Sequence, residues 1–113
     1  MWADAVLVEY AVEGGYAHQL RSVAVHEDGT LDVVRGGARS SVRWGADQVR
    51  ALVTELEASG LFGTDHEFPA AAGADLRRHE IRYAGATVVA HDTTVPPVLR
   101  AAVSMLEQAL TTR

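Results

Sequence analysis

Cysteine is absent from the 113 residues, so neither disulfides nor thiolate metal sites are available. A chain of this length buries about two thirds of its unfolded surface and can hold a core without such staples. The same absence suits a reducing compartment, and the cytoplasm is the expected location. No basic segment precedes the apolar stretch at residues 5–12, which Glu9 interrupts. That stretch is too short for a signal core or a membrane span. Basic charge is also in short supply: 10 cations face 15 acids, for a net charge of -5. Arg21, Arg35, Arg39, Arg43 and Arg50 are dispersed, so no basic stripe forms. Neither nucleic acid nor a membrane surface is therefore an expected partner. Arg77 and Arg78 are the one adjacent basic pair, and they read as part of a solvated strand edge. Low-complexity tracts, short repeats and internal linkers are missing too, so residues 1–113 are expected to form one domain.

What remains is strong patterning. Val6, Val8, Tyr10 and Val12 alternate at period two and predict a strand over residues 5–12. Gly14 and Gly15 break it, and Arg21, Val23 and Val25 predict a second strand over 19–26. Asp28-Gly29 is a hairpin signal leading to a third strand over 30–35, and residues 40–44 allow one more short strand. Val49, Leu52, Val53 and Leu56 then repeat at helical spacing, with Asp47 in the first turn and Gly60 placed to end the helix. Residues 63–74, rich in Gly, Ala, Pro and Asp, read as a long loop. A second hairpin over 76–91 turns at Ala84-Gly85, so paired residues sum to 169. The last helix is expected to open on Thr93-Thr94-Val95-Pro96-Pro97 and to bury Leu99, Ala102, Val103, Leu106 and Leu110. The predicted fold is α+β: an antiparallel sheet of about five strands with two amphipathic helices packed on one face.

Five histidines prompt a search for a metal, but none has a helical ligand spacing. The hairpin register sets His79 opposite Ala90 and His91 opposite Arg78, so the two imidazoles point to opposite faces. The acids around His26 and His66 read as polar turn residues. No nucleophile elbow or phosphate-binding glycine loop is present. No enzyme chemistry, cofactor or metal is expected.

The order of motifs is more informative. A strand is followed by Gly14-Gly15-Tyr16, a second strand, an Asp-Gly hairpin, and a helix ending Ser59-Gly60-Leu61-Phe62. Gly73-Ala74-Asp75, Ile81 with Tyr83, and the run from Asp92 to Leu99 continue it. Over residues 5–110 this order resembles the emfourin family, small proteins that inhibit protealysin-like members of the thermolysin class of zinc metallopeptidases. His18 and His79 depart from the pattern, standing where that family often has a glycine and an aromatic residue. The resemblance implies a non-enzymatic inhibitor, monomeric when free, whose preorganised loop covers the peptidase cleft. The contact surface it suggests is Glu13, Gly14, Gly15, Tyr16, Ala17 and His18, with Tyr16 as an aromatic anchor and His18 able to approach the zinc. Phe68 and Pro69 form a second candidate patch. Two other readings compete: an interaction module associating through the sheet edge at residues 31–44, and a small-molecule site on the sheet.

Overall fold

The computed structural model describes residues 5–14, 20–70 and 76–111. Strands β1 (Val6–Gly14), β2 (Arg21–His26), β3 (Thr30–Arg35) and β4 (Ala38–Arg43) run as an antiparallel meander. Helix α1 (Ala46–Ala58) follows, then the two-residue strand β5 (His66–Glu67) and the hairpin of β6 (Arg77–Tyr83) and β7 (Ala86–His91). One turn of 3-10 helix at Pro97–Leu99 leads into α2 (Arg100–Thr111).

The strands form one sheet of order β4-β3-β2-β1-β6-β7-β5. The α+β class is as expected, but the sheet has seven strands and is mixed rather than about five and antiparallel. Two elements account for the difference. The short candidate at 40–44 is a full strand starting at Ala38, and part of the expected 63–74 loop pairs in parallel with β7. Two residues are too few to show an alternation, so β5 is invisible to periodicity. It is fixed instead by distant partners, since Asp65 Oδ1 accepts the Thr87 N–H at 2.9 Å and Phe68 N–H donates to the Val89 carbonyl at 2.8 Å.

One face of the sheet carries the core. Val8, Tyr10 and Val12 from β1, Val23 and Val25 from β2, Leu31 and Val33 from β3, and Ile81 and Val88 from the hairpin are all buried. Leu52 and Leu56 of α1 and Ala102, Leu106 and Leu110 of α2 are buried in the same cluster. Alternation in the strands and the helical repeat thus meet in one layer. The opposite face is open toward β4 and closes toward β7: a row of paired residues crosses it from the exposed Arg39 through Val34, Ser22, Ala11 and Glu80 to the buried Val89.

The local signals explain most element ends. Gln48 Oε1 accepts the Gly45 N–H at 3.0 Å, which satisfies one donor ahead of α1, and Gly60 takes the left-handed conformation at φ 71° just after it. The β6–β7 pairing keeps the sum-of-169 register, with His79 opposite Ala90 and His91 opposite Arg78. The final helix begins later than expected. Pro96 is extended (φ -62°, ψ 145°), as the residue before a proline tends to be, and α2 starts only at Arg100. Thr94 does not cap it; its hydroxyl donates to the Phe68 carbonyl at 3.0 Å and accepts the His91 N–H at 3.0 Å.

Candidate functional site at one end of the sheet

The C-terminal ends of β1 and β7 and the N-terminal end of β6 lie side by side. Gly14 pairs with Arg77, Glu13 with Arg78, and Arg78 with His91. The pair Arg77-Arg78 is therefore not on an edge, because β6 lies between β1 and β7. A strand in that position needs its charges partnered, and these are. Arg77 Nε lies 3.2 Å from Asp92 Oδ2, and its Nη1 lies 3.1 Å from Glu107 Oε2 on α2. Arg78 lies 3.0 Å from Glu80. The Arg77 backbone N–H also donates to Asp92 at 3.0 Å, so one carboxylate ties the hairpin's open end to the Arg77 side chain.

Behind this pair runs a buried polar chain. His79 is 4% exposed; its Nε2 is 2.7 Å from Asp92 Oδ1 and its Nδ1 is 2.8 Å from the Tyr10 hydroxyl. With Nε2–H donated to the carboxylate, Nδ1 is the ring nitrogen that meets the Tyr10 hydroxyl. The two rings stack with centroids 6.0 Å apart. Burial is the main force raising the Tyr10 pKa, with the Glu107 charge adding to it, so the phenol stays protonated. Burial also works against the Asp92 charge, but the hydrogen bonds from His79 and Arg77 outweigh it and hold the carboxyl below its ordinary range. At Arg77, burial is likewise opposed by Asp92 and Glu107, and the net effect is a raised pKa.

An open cavity of about 500 Å³ lies beside this chain, lined by Arg77, His79, Asp92, Val95, Val103 and Glu107 among others. Chemically the chain is a brace. Both imidazole nitrogens are engaged, and the Tyr10 hydroxyl ends in the core with 1% of the residue exposed. No group of three or more His, Asp or Glu side chains among the described residues is arranged to hold a metal.

The expected contact residues divide into three sets. Glu13 is exposed at the end of β1, and Gly14 follows at φ 93°, where a β-carbon would stand 3.3 Å from the Leu76 carbonyl. Gly15, Tyr16, Ala17 and His18 lie outside the described residues. Phe68 is half-buried, stacked on His66 with centroids 6.2 Å apart, and its carbonyl also lies 3.2 Å from His91 Nδ1; Pro69 is exposed. The strand order brings Glu13 and Phe68 to the same end of the sheet, three strands or about 14 Å apart. The sequence reading missed the Tyr10–His79–Asp92 chain. Period-two alternation did put Tyr10 on the same face as Val8 and Val12, but nothing local marks β1 and β6 as neighbours.

No protein-family model, curated protein or solved structure matches the chain. No helix among the described residues is long and apolar enough to cross a membrane.

Proposed function

We propose that this protein is a non-catalytic inhibitor of a thermolysin-like zinc metallopeptidase, monomeric when free and cytoplasmic, that blocks the active-site cleft sterically. The contact surface in this reading is the end of the sheet carrying Glu13 and Gly14, the segment from Gly15 to His18, and Phe68 with Pro69. One observation carries it: Glu13 and Gly14, selected separately from Phe68 and Pro69 in the sequence, lie at the same end of the sheet as they do, and the Gly14 strand end is braced. Gly14 pairs with Arg77, and Arg77 is held by Asp92 and Glu107. A rigid base supports inhibition because a preorganised surface loses little entropy on binding. The motif order shared with emfourins supplies the target class, and Tyr16 supplies the aromatic anchor.

The test is titration of a purified protealysin-like or thermolysin peptidase with this protein, with excess zinc as a control. Stoichiometric loss of activity that zinc does not reverse, and that Tyr16→Ala weakens without lowering Tm, is the expected result. Full activity at a several-fold molar excess, across several such peptidases, would remove the inhibitor reading.

A further inference from the structure

We propose that the outer edge of β4 is a docking site for an extended acidic peptide, which adds to the sheet as a further strand. This surface is separate from the end of the sheet discussed above. The sheet has two edges, and they differ sharply. β5 offers two residues, whereas β4 offers six, and five of those six are exposed. Among the described residues no strand pairs with the outer side of β4, so half of its backbone donors and acceptors face outward.

The charge around this edge is opposite to that of the molecule. Arg39 and Arg43 are the charged residues of β4 itself, a strand charge of +2 in a chain of -5, and the nearest acid across the ladder, Asp32 opposite Ser41, is already bonded to His26. No lysine occurs anywhere in the chain, so these cations are the planar, fork-shaped kind that grips carboxylates with two hydrogen bonds. Arg39 is opposite Val34 and Arg43 is opposite Thr30, which puts both on the open face of the sheet. They are four residues apart, about 13 Å along the strand. Neither forms an ion pair among the described residues; Arg43 donates only to the Thr30 hydroxyl at 3.3 Å. An incoming strand with acids at alternate positions would meet both guanidiniums, while its backbone completes the β4 ladder.

A second copy of this chain fits the edge poorly. Pairing two β4 strands about Ser41 would set Arg39 of one chain opposite Arg43 of the other, placing like charges directly across the ladder. The competing explanation is that the arginines merely guard an exposed edge against aggregation, and the experiment separates the two.

The probe is a fluorescein-labelled peptide of alternating Thr and Glu, about eight residues long, followed by anisotropy at low salt, where exposed charges are least screened. Saturable binding is expected, with none for the Thr–Lys counterpart. The double variant Arg39→Glu/Arg43→Glu should weaken binding by roughly tenfold or more, with an unchanged circular dichroism spectrum because both side chains are exposed. A peptide N-methylated at every residue keeps its charge but has no backbone donor for a strand on either edge, and it should also fail to bind. The proposal is overturned if the Thr–Glu peptide does not bind, if the N-methylated peptide binds equally well, or if the arginine variant leaves affinity unchanged. A stable homodimer whose β4 amides are protected from hydrogen exchange would also overturn it.

Discussion

Gly29 and Trp44 meet backbone to backbone. The Trp44 N–H donates to the Gly29 carbonyl at 2.8 Å, and a β-carbon on Gly29 would stand 2.4 Å from the Trp44 carbonyl oxygen. Gly29 is also at φ 94°, in the left-handed region. The turn between β2 and β3 is thereby clamped to the junction of β4 and α1. Gly29→Ala combines a backbone clash with an unfavourable conformation and should cost about 2–4 kcal/mol. The urea midpoint should fall with little change in slope; an unchanged midpoint would show that this junction yields easily.

Removing one hydroxyl should reveal how much the buried chain matters. Tyr10→Phe leaves His79 Nδ1 without its partner in a nearly dry site and should destabilise by about 1–3 kcal/mol. Tyr83→Phe is the matched control, because its hydroxyl donates to Glu57 at 2.7 Å in an exposed pair, and it should cost less than about 1 kcal/mol. Equal losses in chemical denaturation would mean that burial gives the Tyr10 bond no special weight.

Asp92 sets a pH dependence whose sign follows from its environment. Its folded pKa is depressed, so the stability it contributes is present above the unfolded carboxyl value, about 3.9, and is lost as pH falls through the folded value. Denaturation free energies measured between about pH 6 and pH 2.5 should fall more steeply for the native protein than for Asp92→Asn. Parallel curves would assign the acid sensitivity to other carboxyls.

Ala84 is the one described non-glycine residue with positive φ, at 55°, and Gly85 follows at 82°. Two consecutive positive angles define the hairpin turn that favours Asn-Gly, so the alanine is the misfit. Ala84→Asn should stabilise by about 1 kcal/mol and raise Tm by roughly 4–8 °C. A lower Tm would show that the alanine makes a packing contribution that outweighs its strain.

What could be read from the sequence was what depends on neighbouring residues. Asp28-Gly29, the sum-of-169 register of the second hairpin and the Val49-Leu52-Leu56 stripe all appear as expected, because turn chemistry and periodicity act over a few residues. The misses depend on distant partners. Arg77 lies inside the sheet because β1 adopts β6 as a neighbour, and Tyr10 reaches His79 across 69 positions. β5 exists only because β7 is there to pair with it. Of the candidate site, the sequence pointed to Glu13, Gly14, Phe68 and Pro69 but not to the polar network beside Gly14, nor to the Thr94 hydroxyl that holds the Phe68 carbonyl.

The placing of β1 between β2 and β6 has a consequence for the protein's birth. On the ribosome the meander from β1 to β4 emerges first, and α1 follows it. The central strand then has one side open until residues 77–83 are made. During that interval Val8, Tyr10 and Val12 lack the α2 stripe that completes their cover. Closure of the fold waits on the last third of the chain, and contacts of such long sequence separation are slow to form. A nascent chain stalled before residue 77 would present two unpaired edges instead of one long one, the situation in which β-rich intermediates are most exposed to aggregation.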